Sequence, residues 1–309
     1  MITVVMATFN RSNILRYTID SVRRQTWTDW ELIVVGDECT DDTETVVAAF
    51  GDPRIRFRNL SPRCGEQAGP NNAGCAEARG NVVAFLNHDD FWTPDHLAKA
   101  MLALDDDPSL DLVYGLNIAV HPDGTYRVRG PSPSGRYEVH AGVSASAWVF
   151  RRSLLDRVGP WRRARESFDM PSQEWLRRAH RAGARMQLLP HLSVLSLPSG
   201  VRARSYADRA DAEHVAWAAR MAETPDWQVA LLCDVVRKMD LTSYQSPNSL
   251  AVSPFLWRAA KNAARRGLHA VGLPALPVAF ALRHRRRGGF IDHLRQVRGL
   301  DPLPRNGKR

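Results

Sequence analysis

The sequence predicts an α/β protein on a doubly wound, mostly parallel sheet, and three observations lead there. The first is a β-branched run, Ile2-Thr3-Val4-Val5-Met6-Ala7, followed by a helical pattern. The second is the repeat of that alternation over the next fifty residues, a βαβαβ opening. The third is the apolar run Val82-Val83-Ala84-Phe85-Leu86, which stops at the polar Asn87-His88-Asp89-Asp90. A strand buried on both faces has no polar side to alternate with, so the run reads as a central strand. Asp89 and Asp90 then stand at its carboxyl end, where open α/β sheets bind ligands.

Taken in order, Ile14, Thr18, Ile19 and Val22 make one face of the first helix, with Asn10 or Ser12 as its cap. Glu31 to Val35 is the second strand and runs into Gly36-Asp37-Glu38. A short helix passes through Val46 and Val47, and Arg54 to Leu60 is the third strand. Thr93 caps a helix that Pro94 opens, with Leu97, Met101 and Leu104 on one face. Leu110 to Tyr114 and Ser146 to Arg152 are further strands, separated by a Gly-, Pro- and Arg-rich hairpin or loop over 121–136. A short helix through Leu154 and Leu155 stops near Gly159. Ser172 caps the next helix, which turns Trp175, Leu176, Ala179 and Ala182 to the core. Met186 to Leu189 and Leu192 to Leu195 are strand-like, and helices follow over 212–221 and 227–239.

Two adjacent carboxylates repel, and a divalent cation such as Mg²⁺ or Mn²⁺ would relieve Asp89 and Asp90. A solvated Asp-Asp turn is the plainer reading. Asp37 can hold a ribose or a base N–H, or simply cap a helix. Neither GxGxxG nor GxxxxGK[ST] occurs, so there is no dinucleotide fingerprint and no P-loop.

The net charge of +9 is uneven. Residues 255–309 hold 13 Lys/Arg and 2 Asp/Glu, so the basicity belongs to the tail. Cys39, Cys64, Cys75 and Cys233 form no CxxC pair, which suits a reducing, intracellular compartment. No signal-peptide pattern precedes the first strand, and the weakly polar run 267–282 is too short and Pro-broken to span a bilayer.

Four blocks in this order carry a resemblance: Val4-Val5-Met6-Ala7-Thr8-Phe9-Asn10; Val34-Val35-Gly36-Asp37-Glu38-Cys39-Thr40-Asp41-Asp42-Thr43; Asn72-Ala73-Gly74 with Ala78-Arg79-Gly80; and Phe85-Leu86-Asn87-His88-Asp89-Asp90-Phe91-Trp92-Thr93-Pro94. Over about residues 1–200 the chain resembles family 2 glycosyltransferases of the GT-A fold. The resemblance implies an inverting transfer from a UDP-, dTDP- or GDP-sugar to a glycan, lipid-linked or small-molecule acceptor, with cell-surface polysaccharide or glycoconjugate as product. It implies that Ala7 and Thr8 line the base, that Asp37 bonds the base edge, and that Asn72, Gly74 and Arg79 approach the nucleotide. Asp89 would meet the sugar diphosphate, and with Asp90 the metal.

Two positions depart from the family pattern. Asn87 replaces the first Asp of the metal motif, and Asn71 replaces an Arg. Arg202 or Arg204 could supply the missing cation.

Inversion needs a carboxylate that takes the acceptor proton. Glu174 is the first candidate and Asp169 the second, both near the start of the 172–182 helix. The expected layout is a catalytic domain over 1–205 and a helical, basic region over 206–309. Phe255 to Ala270 is amphipathic and basic, and with Arg283 to Arg287 it suits an anionic membrane surface on the cytoplasmic side. It suits equally a packed appendage. Aromatics do not interleave with the basic run, which disfavours nucleic acid. A nucleotide-sugar-binding partner without turnover is the rival from another class.

Overall fold

The computed structural model describes residues 1–139, 141–244, 267–268 and 275–304. The membrane-surface expectation for 255–270 falls almost wholly outside them.

Among the described residues nine strands form one sheet: β1 Ile2–Thr8, β2 Trp30–Gly36, β3 Ile55–Asn59, β4 Val82–Phe85, β5 Asp90–Trp92, β6 Leu112–Val120, β7 Tyr126–Arg129, β8 Trp148–Arg151 and β9 Met186–Ser196. Their order is β3-β2-β1-β4-β8-β6-β9-β5, with β7 a hairpin partner of β6. The first four are parallel, as the βαβαβ opening predicts. Beyond β4 the sheet is mixed. β8 runs antiparallel to both β4 and β6, and β9 is parallel to β6. Near-continuous burial of β1, β2 and β4 explains their unbroken apolar runs.

The helices are α1 Ser12–Arg23, α2 Thr43–Ala48, α3 Ala68–Ala76, α4 His96–Asp106, α5 Ser153–Val158, α6 Pro171–Arg181, α7 Ala212–Glu223, α8 Trp227–Tyr244, α9 Ala275–His284 and α10 Gly289–Val297. Gly74 lets α3 lie close on the sheet, since a Cβ there would clash with Val5 Cγ1.

Three expectations shift. Asp90-Phe91-Trp92 is a short strand paired with β9, so α4 starts two residues later than Thr93-Pro94 suggests. The stretches 186–189 and 192–195 are one bulged strand, because Pro190 sits where the β6–β9 register breaks. α6 begins at Pro171, so Ser172 lies inside its first turn rather than at the cap.

The core beneath β4 and β8 is aromatic. Trp148, fully buried, meets Trp175 at 5.8 Å, Trp161 at 5.9 Å and Phe85 at 6.2 Å between ring centroids. Trp148→Ala is expected to cost about 3–5 kcal/mol, read as a lower urea midpoint at unchanged slope. A loss below about 1 kcal/mol would refute this packing account.

Candidate active site

The carboxyl ends of β1, β2 and β4 converge. The Asp37 N–H donates to Thr8 O at 2.9 Å, and His88 Nδ1 lies 3.1 Å from Ala7 O. A carbonyl can only accept, so the His88 proton is on Nδ1, and Nε2 accepts from the Tyr206 hydroxyl at 3.2 Å. Burial lowers the His88 pKa, which favours this neutral ring. His88 therefore fixes the β4 end against β1.

Asp89 and Asp90 separate in role. Adjacent residues entering a strand point to opposite faces. Asp89 receives the Ser199 N–H at 2.9 Å. Burial opposes its charge, yet that bond and the nearby Arg298 help hold its pKa below the usual carboxylate range. Asp90 instead receives Asn87 Nδ2 at 2.9 Å and the Ser146 hydroxyl at 2.5 Å. Burial, then the Asp89 charge, raises its pKa. Asn87, at the position where the family motif carries an aspartate, thus donates to Asp90 through its amide.

Among the described residues no three His, Cys, Asp or Glu side chains gather as a metal cage. Asp89 still fits a hard cation as the single protein carboxylate, because Mg²⁺ sites commonly take one or two carboxylates plus substrate phosphates. Asp90 does not fit that role, with its carboxylate engaged inside the sheet.

Asp37 accepts two backbone N–H groups, from Cys64 and Gly65, each at 2.7 Å. Burial raises its pKa against those bonds. It shapes the 60–67 loop, beside Arg63, whose guanidinium lies 3.4 Å from the Phe9 ring centroid. The Thr8 hydroxyl is buried without a partner. Asn72 clamps Trp161, giving its Nδ2 to Trp161 O and accepting the Trp161 N–H at 2.8 Å.

Arg79 is not brought here. Its N–H donates to Glu31 at 2.8 Å, and the next N–H to Thr3, both near the amino ends of β1 and β2. The chain must return to that edge before β4 can run parallel to β1, which leaves Arg79 about 20 Å from the crevice. Arg202 and Arg204 are also elsewhere. Arg202 bonds Glu213 and the Val120 carbonyl, and Arg204 pairs with the exposed Asp208.

The candidate bases face different ways. Glu174 accepts from Arg178 Nε at 2.9 and 3.0 Å and from Arg162 at 3.2 Å, toward the 158–162 loop. Asp169 is buried and paired with Arg177. Arg177 shares its helix face with Gln173, whose amide bonds Val143 O at 2.7 Å. Val143 leads directly into Ser146, the partner of Asp90.

The described residues past 205 pack against the earlier part of the chain. Arg295, on α10, bonds Gly65 O, and Arg165 holds Asp292 at 2.8 and 3.1 Å. Arg298 stacks on Tyr206 at 5.7 Å. The sequence reading missed this; a lone Arg in a basic tail gives no signal of where it lands.

Glu66 closes the neighbouring loop by accepting the Ala164 N–H at 2.8 Å. Burial pushes its pKa up to about 7. A folded pKa above the unfolded value means stability is present at low pH and falls as pH rises from about 4.5 to 7. Glu66→Gln should therefore raise Tm relative to the parent more at pH 8 than at pH 5. An equal difference at both pH values would contradict it.

The model of the glycosyl transferase family 2 matches residues 3–159, half of the chain. The chain belongs to glycosyl transferase family 2. An uncharacterized glycosyltransferase of Nostoc sp. is 29% identical over 171 residues, 52% of this chain and 53% of that protein. The Escherichia coli UDP-Glc:alpha-D-GlcNAc-diphosphoundecaprenol beta-1,3-glucosyltransferase WfgD is 33% identical over 97 residues, 31% of this chain and 38% of WfgD. The chain thus spans about half or less of these relatives.

The family 2 fold is shared with solved structures. Staphylococcus aureus TarS 1-349 in complex with UDP superposes with a TM-score of 0.54 at 19% identity, over 64% of this chain and 60% of that one. The mannosyltransferase PcManGT from Pyrobaculum calidifontis, in complex with GDP-Man and Mn²⁺, gives 0.54 at 18% identity, over 95% and 86%. The chain therefore has the GT-A fold, with a mixed, mostly parallel sheet and C-terminal helices. Among the described residues no helix is long and apolar enough to cross a membrane.

Proposed function

We propose that the chain transfers a sugar, with inversion, from a nucleoside-diphosphate donor to an acceptor hydroxyl in polysaccharide or glycoconjugate synthesis. The observation that carries this is the position of Asp37 and Asp89 past the carboxyl ends of β2 and β4, the strands on either side of β1, in a family 2 chain. The 60–67 loop that Asp37 shapes, with Phe9 and Thr8, forms the side that receives the base. Asp89 faces the sugar diphosphate.

Asp169 is the base in this proposal. It stands before α6, on the face that Gln173 and Val143 tie to the Asp90 network, whereas Glu174 is turned to Arg178 and Arg162. Asp169 takes the acceptor proton as the hydroxyl attacks the anomeric carbon, and Arg177 orients the carboxylate. Asp89 would be the ligand for Mg²⁺ or Mn²⁺, which supplies charge neutralisation at the departing diphosphate. WfgD is named for a donor UDP-Glc and a diphosphoundecaprenol-linked acceptor, which favours a UDP-sugar and a lipid-linked acceptor here.

A panel of UDP-, dTDP- and GDP-sugars, with release of the nucleoside diphosphate and product mass as readouts, tests the reading. Release that depends on an acceptor and a product heavier by one sugar support transfer. Binding of a donor without turnover across the acceptor panel would favour the non-catalytic partner instead.

A further inference from the structure

Three arginines from distant parts of the chain gather about Asp37 and Asp89. Arg11 follows β1, Arg63 lies in the loop after β3, and Arg298 follows α10. Two rings join them. The Arg11 guanidinium carbon lies 5.3 Å from the Tyr206 centroid and that of Arg298 lies 5.7 Å from the same ring. Tyr206 stacks on Phe9 at 6.3 Å, and Arg63 covers Phe9.

These arginines are short of partners. The Nε atoms of Arg11, Arg63 and Arg298 are all buried without a hydrogen bond. The Arg11 side chain makes one hydrogen bond among the described residues, from Nη1 to Ser205 O, and is only 2% exposed. Among the described residues neither Arg11 nor Arg298 forms an ion pair, and Arg63 stands 3.9 Å from Asp37. Arg295, beside them, differs: its Nε bonds Asp301 O at 2.6 Å, and it holds the Gly65 carbonyl.

Gathering more guanidinium groups than carboxylates in one place is unfavourable, and an orphaned charged donor costs more than a neutral one. An arrangement of this kind is relieved by an anion with several acceptor oxygens. Planar guanidinium groups match phosphate oxygens two at a time. The cluster also lies between Asp37, on the base side, and Asp89, on the sugar side.

We infer that Arg11, Arg63 and Arg298 form the site for the diphosphate of a nucleoside diphosphate, with Arg298 delivered by the segment after α10. This rests on the donor reading above and deepens it. The arginines bind the two phosphates of the donor and hold the same charge as the sugar leaves, complementing any cation on Asp89. Asn71 lacks the cation that the family pattern would supply, and the arginines act in its place.

The test is calorimetric titration of the full chain with UDP, GDP, uridine, guanosine and inorganic pyrophosphate, each with Mn²⁺ and with EDTA. Arg298→Gln and Arg298→Lys are compared with the parent, and Arg63→Gln serves as a second variant should Arg298→Gln lower Tm. The expected result is at least about a 10-fold loss of affinity for the preferred nucleoside diphosphate in Arg298→Gln, partial recovery in Arg298→Lys, and unchanged nucleoside binding. The parent should bind the nucleoside diphosphate more tightly than pyrophosphate; the reverse order would assign the cluster to a free anion and overturn the nucleotide assignment. Equal losses for diphosphate and nucleoside, or no loss in either Gln variant, would overturn the inference while leaving the donor reading standing. Failure of the parent to bind any nucleoside diphosphate would overturn the donor reading and the inference with it.

Discussion

Asp89→Asn is expected to lower sugar transfer by at least about 10³-fold with little change in fold, since preorganised charge at a departing group commonly carries effects of that size. The asparagine oxygen can still accept the Ser199 N–H now 2.9 Å from Asp89, so the 197–199 turn keeps its anchor. What disappears is the negative charge that faces Arg298 and could meet a cation. The measurement is release of nucleoside diphosphate from the preferred donor, alongside a thermal melt. Retention of more than a tenth of the parent rate would remove Asp89 from the chemistry. The same change at Asp90 has a different outcome. Asp90 accepts from Asn87 and Ser146, so its replacement should act on stability first.

Asp169→Asn is the second large effect, with kcat lower by about 10²–10⁴ and nucleotide affinity within about 3-fold of the parent. Loss of a proton acceptor leaves donor binding intact, whereas collapse of the site would not. Because Asp169 pairs with the buried Arg177, the variant also unpairs a charge and should lose stability. Assays are therefore run well below its melting temperature. Glu174→Gln is the control, expected to change kcat by less than about 10-fold, because Glu174 serves the Arg162 and Arg178 bonds. If Glu174→Gln is the silent enzyme and Asp169→Asn the active one, the base assignment reverses.

Much of the fold was legible because β1, β2 and β4 are buried runs with period-free apolar patterns, and because Asp37 and Asp89 come within four residues of the ends of two of them. The switch-point rule needs nothing more than strand order to place those aspartates together. Arg79 was misplaced for a related reason. Position within a family block says which segment nears a ligand, not whether the segment is arriving at the site or leaving for the opposite edge. The split between Asp89 and Asp90 was hidden too. Two identical side chains in sequence separate only when β5 pairs with β9 and sends one inward. Glu174 looked the better base because it precedes an aromatic on α6, yet helical geometry turns it toward Arg178 one turn later. Arg298 had no local pattern at all, since its meaning lies in a ring contributed by residue 206.

The bond from Arg295 to the carbonyl of Gly65 joins residues 230 apart in sequence. Closing so long a loop is entropically costly, and contacts of that span form late in folding. A chain growing from its amino end can complete the β3-β2-β1-β4 half long before residue 295 exists. The crevice would then stay open on one side until the C-terminal segment docks. Competence for catalysis should therefore trail behind acquisition of the sheet during refolding: far-ultraviolet ellipticity recovers first, and nucleotide binding follows as a separate, slower phase.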